Sequence, residues 1–225
     1  MPERPWKDEF TLLCERCGYV IEGLDTGGAC PECGKAIAES LPERRVGTAW
    51  QAGRSPSSLV RTWARSVRQP RRTLDLIRID GGDGRSLARW TALVALPLWP
   101  VVMLLIWIEA RGIQYFGARR GFRITPDLAW SVCGHGSVGW AIAAVGFWLG
   151  ASLIGWGVGQ SVEYSTDPAY DPVFASRLIG VGIGAGGLLM LTGFVFFEVF
   201  AWLGLRRCRF ANRVRPGEPG APEGP

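Results

Sequence analysis

The sequence predicts a mainly α-helical membrane protein: three apolar helices, the first either spanning or re-entrant, behind a small N-terminal β unit. Three observations carry this. Charge is sorted along the chain, with 27 charged side chains in residues 1–89 but only Glu163, Asp167, Asp171, Arg177 and Glu198 in residues 128–205. Three apolar blocks follow residue 89, each of the length that a hydrocarbon core of about 30 Å demands. Four of the six cysteines fall in two C-x-x-C pairs. Such sorting excludes a single soluble domain and a disordered chain.

Residues 1–39 form the cysteine unit. Cys14-x-x-Cys17-Gly18 and Cys30-x-x-Cys33-Gly34 stand twelve residues apart. One C-x-x-C turn brings two sulfurs to an ion, and a second completes a tetrahedron with Zn–S bonds of about 2.3 Å. The glycine after each pair lets backbone amides turn toward the sulfurs. Four thiolates leave no open coordination position, so the site is structural rather than catalytic. Reduced thiolates place the unit in the cytosol. The opening MPERPWKDEF has no apolar core, so no cleavable signal peptide is expected.

CERCGYVIEGL…CPECGK resembles a zinc ribbon, and its spacing is also similar to the rubredoxin-like domain of rubrerythrins. The likeness covers about 25 residues and concerns the metal site alone. Rubredoxin-like domains hold iron, which the resemblance leaves as the alternative. The repeated Glu-x-x-His ligands of the rubrerythrin diiron half cannot exist in a chain with one histidine, and zinc is therefore favoured. The whole order, ribbon then ACPECGKAIAESLPERR then apolar spans, resembles uncharacterised bacterial zinc-ribbon membrane proteins. That likeness implies the inner membrane and carries no activity.

Residues 40–58, polar and rich in Pro and Gly, read as a linker. In residues 59–89, Leu59, Trp63, Val67, Leu74 and Ile77 follow helical spacing and Pro70 divides the run. Arg61, Arg65, Arg68, Arg71 and Arg72 fill other positions, which suits short helices lying on a bilayer with arginines reaching lipid phosphates. The helical membrane domain is assigned to 90–205. Its first block, Trp90–Ile108, is 19 residues without charge, and Pro97 and Pro100 predict a kink in it. The second is centred on Val138–Val158, with a start as early as Leu128; the third is Leu178–Leu205, interrupted by Glu198. Residues 206–225 are basic, then a disordered tail.

Topology is where the rules conflict. Residues 1–43 carry −5 and 44–89 carry +8, and the connectors 109–127 and 159–177 carry +2 and −2. Basic segments belong in the cytosol and the acidic connector outside. Three full spans break that rule by placing the two termini on opposite sides. A re-entrant first block keeps it. Both arrangements leave the ribbon cytosolic.

Other patterns have plainer packing explanations. Gly182–Gly187 matches G-x-G-x-x-G but lies inside an apolar block without strand–turn–helix context. Gly146/Gly150, Gly155/Gly159, Gly180/Gly184 and Gly182/Gly186 instead form G-x-x-x-G pairs, which allow close helix packing and a homo-oligomer. His135, the lone histidine, reads as hydrogen-bonded at an interface. Glu198 is an acid inside an apolar block, a polar-site candidate that a partner such as Arg206 would satisfy. The favoured function is a membrane protein, not an enzyme, whose cytosolic ribbon docks or scaffolds a protein partner, with membrane lipids at the arginines. An intramembrane enzyme or transporter subunit using Glu198 and His135 is the alternative. Nucleic acid is disfavoured, because a phosphate-binding ribbon should be basic.

Overall fold

A computed structural model of the chain describes residues 7–79, 82–163 and 172–214. The cysteine unit comes first and contains turns rather than regular strands. Two isolated antiparallel bridges, Leu13 with Val20 and Ala29 with Ala36, close its two cysteine turns. The expected β ribbon is therefore reduced to single bridges, because each turn consumes the residues that would extend its strands.

Eight α-helices follow among the described residues: α1 (Ala49–Ala52), α2 (Pro56–Arg68), α3 (Pro70–Leu76), α4 (Asp83–Leu93), α5 (Trp99–Arg119), α6 (Pro126–Gly136), α7 (Val138–Glu163) and α8 (Pro172–Arg207). Ser55 and Thr125 start α2 and α6 by accepting the amides of Ser58 and Leu128, and a proline follows each where its missing N–H costs nothing. Three stretches are long and apolar enough to cross a membrane: Trp99–Arg119, Pro126–Val162 and Pro172–Arg207.

The first apolar block differs from its expectation. Trp90–Ile108 is not one kinked helix. Its front end closes α4, a 3-10 turn occupies Leu96–Leu98, and α5 begins at Trp99 with Pro100 in its first turn. α5 then runs on through Glu109 and Arg111, so the helix lies nine residues later than the charge-free window. The second block is also divided. α6 is a separate helix, buried continuously from Ser131 to Gly136, and α7 continues beyond Ser137.

α7 and α8 form an antiparallel hairpin. Glycines set its closeness. A Cβ on Gly139 would strike the Gly193 carbonyl, one on Gly146 would stand 2.8 Å from the Gly186 carbonyl, and one on Gly150 2.8 Å from that of Gly182. These are distances at which real Cβ atoms do not sit, so backbone touches backbone. Gly155, Gly159, Gly180 and Gly184 meet nothing and face outward. α5 runs parallel to the lower part of α8: Gly117 lies against Leu205, and Arg123 donates its amide to the Arg209 carbonyl.

Residues 40–58, expected as a linker, are packed into the base of this bundle. Arg45 is buried, donates to Glu15 Oε1 at 2.8 Å, and closes the C-terminus of α3 through the Leu74 and Ile77 carbonyls. Thr48 and Trp50 are buried as well. Polar composition concealed burial because the side chains of Arg45, Thr48 and Gln51 are paired. α2 and α3 part at Gln69–Pro70 as expected, but α2 buries Ser58, Thr62 and Ser66, not Leu59, Trp63 and Val67. Small side chains let it lie close to its neighbours.

Candidate metal centre

The four cysteines predicted as ligands come together. The sulfurs of Cys14, Cys17, Cys30 and Cys33 lie within 4.8 Å of one another. Cys14 and Cys33 stand 3.5 Å apart, and Cys17 and Cys30 3.6 Å. A tetrahedral site of four sulfurs with bonds of about 2.3 Å has edges of about 3.8 Å, so the spacing fits such an ion.

Two matching turns build it. In the first, Gly18 donates to the Cys14 carbonyl and Cys14 to the Tyr19 carbonyl; in the second, Gly34 donates to Cys30 and Cys30 to Lys35, all at 2.8 Å. Gly18 at φ +81 and Gly34 at φ +72 occupy left-handed backbone that other residues adopt at a cost. The turns aim amides at sulfur: Cys17 and Arg16 at Cys14, Tyr19 at Cys17, Lys35 at Cys33. Burial resists ionisation of Cys14, yet the Cys17 and Arg16 amides outweigh it and lower its pKa to about 7. Cys17 is exposed, yet partial desolvation together with the neighbouring Cys30, Cys33 and Cys14 thiols pushes its thiol up to about 12. Four sulfurs this close cannot all ionise without a cation among them, and the donor set is what a thiophilic metal requires. Cys14, Cys17, Cys30 and Cys33 would hold it.

The unit is bound to the helices by groups absent from its own sequence. Asn212, 1 % exposed, pairs with Leu13 like a strand neighbour: Oδ1 accepts its N–H at 2.9 Å and Nδ2 donates to its carbonyl at 2.7 Å. The same Nδ2 reaches the Ser40 carbonyl, and Oδ1 also accepts from Arg123 at 2.7 Å. Arg123 donates further to the Thr11 and Ala211 carbonyls, and Arg209 to that of Arg16. Phe210 packs on Gly18. Burial lowers the pKa of Arg123 to about 10, against the pull of Asp8, Glu15 and Glu9. It remains a cation at neutral pH. Nothing in the run RRCRFANR announces that its asparagine is the partner of residue 13.

No protein-family model, curated protein or solved structure matches this chain.

The remaining candidate residues separate. His135 is fully buried rather than interfacial. Its Nδ1 lies 2.7 Å from the Ser131 carbonyl and must carry the proton, and Nε2 accepts from the Thr48 hydroxyl at 2.9 Å. Both nitrogens are engaged structurally. Glu198 has no ion pair among the described residues; Arg206 stacks over Trp202 at 4.3 Å instead, and the charged neighbour of Glu198 is Glu109 on α5. By sequence Glu109 falls at the start of a connector, where no pattern singles it out. Arg61, Arg68, Arg71 and Arg72 are exposed and Arg65 is half-buried, with no ion pair to any of them among the described residues.

Glu198 is thus an acid in an apolar helix with no cation paired to it among the described residues. Glu198→Gln is expected to insert normally and to lose no stability, since the neutral amide removes the cost of an unpaired charge in an apolar helix. Thermal unfolding in detergent measures it. A clear loss of stability would show that the charge of Glu198 is needed.

Proposed function

We propose that this chain is an integral protein of the bacterial plasma (inner) membrane whose four-cysteine unit binds zinc and forms, with the helix ends, a cytosolic platform that docks a protein partner. The attachment of that unit carries the reading. Thr11, Leu13 and Arg16 are held by Arg123, Asn212 and Arg209, so the ends of α5 and α8 lie on the same side as the unit. A metal centre so fixed presents one rigid surface. On it Glu22, Asp25, Glu32, Glu39 and Glu43 are exposed, with no ion pair among the described residues. Such a face suits a basic partner.

The cytosolic assignment follows from charge. The Arg111–Arg123 segment, residues 44–79 and Arg206–Arg213 share the side of the cysteine unit, as the positive-inside rule favours. Exposed arginines on α2 and α3 suit lipid phosphates. Zinc is preferred to iron because the chain supplies no second redox centre. The outward Gly155/Gly159 and Gly180/Gly184 pairs are where a second copy would pack. No contact joins Glu198 to His135, so the enzyme or transporter reading gains no support.

The test is co-purification from solubilised membranes, comparing wild type with the Glu22→Lys, Asp25→Lys, Glu32→Lys variant. Zinc should remain at about one per chain in both, and a partner held by wild type should be lost from the variant. Retention of the same partner would contradict docking through the acidic face, and iron in place of zinc would overturn the metal assignment.

A further inference from the structure

The α4–α5 pair ends in an apolar point that nothing in the described chain covers. α4 leaves the base at Gly84, which packs on α6 at Gly134; the chain turns over at Leu96–Leu98, and α5 returns to the base at Arg119. Around the turn Leu93, Val94, Leu96, Leu98, Trp99 and Val101 are exposed, and no charge lies between Arg89 and Glu109. Leu96 sits at φ +44, which a branched side chain tolerates poorly. With Pro97 and Pro100 withholding two amides, the two helices cannot merge into one.

Heights along the bundle follow from the parallel run of α5 and α8. Glu109 neighbours Glu198, and eight residues further along α5 Gly117 meets Leu205. Above that level α8 has Leu178–Phe197 without a charge, 20 residues, or about 30 Å at the helical rise, one hydrocarbon thickness. α5 has only Trp99–Ile108, ten residues or about 15 Å, one leaflet. Around and below the two acids stand three ring–guanidinium pairs, Trp107–Arg111 at 5.6 Å, Tyr115–Arg119 at 4.6 Å and Trp202–Arg206 at 4.3 Å. Aromatic rings with arginines belong at the headgroup level.

We infer that the α4–α5 turn is a wedge seated in the acyl layer of a single leaflet, the one on the side of the cysteine unit, and that it makes the protein favour membranes convex toward that side. The inference rests on the membrane reading above. Four helix segments then displace lipid in the near leaflet, the end of α4, the start of α5, α7 and α8, against two in the far leaflet. A body wider in one leaflet is accommodated where that leaflet is stretched, and one-sided insertion is sensitive to curvature for this reason. The occupant of the exposed turn is lipid acyl chain, continuous with the apolar surface of α7 and α8, where Trp148, Leu188 and Leu191 are also exposed.

The test uses the full chain, fluorescently labelled, in giant vesicles of phosphatidylcholine and phosphatidylglycerol with the cysteine unit outward, from which tubes are pulled. The ratio of protein density on tube to that on vesicle should exceed one and rise as the tube narrows. The Leu96→Ser, Leu98→Ser variant should bring it to one. A wild-type ratio of one at every radius, or the same ratio in the variant, overturns the wedge. Depth is read independently on Leu96→Cys carrying an environment-sensitive dye, which spin-labelled lipid in the near leaflet should quench; dye coupling from the far side overturns the wedge. Extraction of wild type by alkaline carbonate would overturn the membrane reading itself, whereas retained protein with a ratio of one overturns the wedge alone.

Discussion

Cys17→Ser is expected to release the metal and to loosen much more than the unit that holds it. Structural zinc in Cys-rich sites contributes on the order of 10–16 kcal/mol of apparent folding free energy at neutral pH. Here the unit also supplies the carbonyls of Thr11, Leu13 and Arg16 to Arg123, Asn212 and Arg209. Without the Thr11 carbonyl, Arg123, 6 % exposed, keeps only the Ala211 carbonyl and Asn212 Oδ1 as side-chain acceptors, and one hydrogen bond to a charged group is worth about 1.5–3 kcal/mol. The base should therefore open, and limited proteolysis should cut both near residue 13 and after Cys208. The α7–α8 hairpin, whose pairing does not involve the unit, should stay intact. Elemental analysis with proteolysis checks this. A variant that loses the metal while the segment after Cys208 stays protected would show the clamp to be unimportant.

The second large effect is expected in the hairpin. A Cβ on Gly186 would stand 2.8 Å from both the Gly146 carbonyl and Gly150 Cα, whereas one on Gly187 meets nothing. Gly186→Leu should separate α7 from α8 and cost about 3 kcal/mol or more, since overpacking a close contact typically costs 1–3 kcal/mol even when flexible side chains absorb it. Gly187→Leu, equally apolar and one residue away, should be tolerated. Thermal unfolding of the pair in one detergent measures the difference, and equal stability of the two would refute the glycine contact.

The contrast between these sites shows what the sequence made legible. The four-cysteine centre was readable because its chemistry is local: spacing fixes the ligands, and Gly18 and Gly34 fix the turns. The apolar helices were readable by length and composition. The limits of α5 were not, because a charge-free window is not a helix; Pro97 and Leu96 end one element inside it, and Glu109 and Arg111 continue another beyond it. Residues 40–58 looked like a linker because Arg45, Thr48 and Gln51 are polar, and only the fold reveals their partners. Asn212 lies 199 residues from Leu13, a separation that no periodicity reports.

On the proposed reading the cysteine unit, the end of α5 and the end of α8 lie on one side of the membrane, an arrangement that three full crossings cannot satisfy. One cysteine added at a time to the native chain, at Leu24, Arg120 or Val162, and probed in intact cells with a membrane-impermeant maleimide against the unsubstituted protein, tests it. Val162 lies in the last turn of α7, at the opposite tip of the hairpin from the base. Only Val162→Cys is expected to label from outside, while Leu24→Cys and Arg120→Cys label after the membrane is opened. Labelling of Arg120→Cys from outside while Leu24→Cys stays protected would contradict the account.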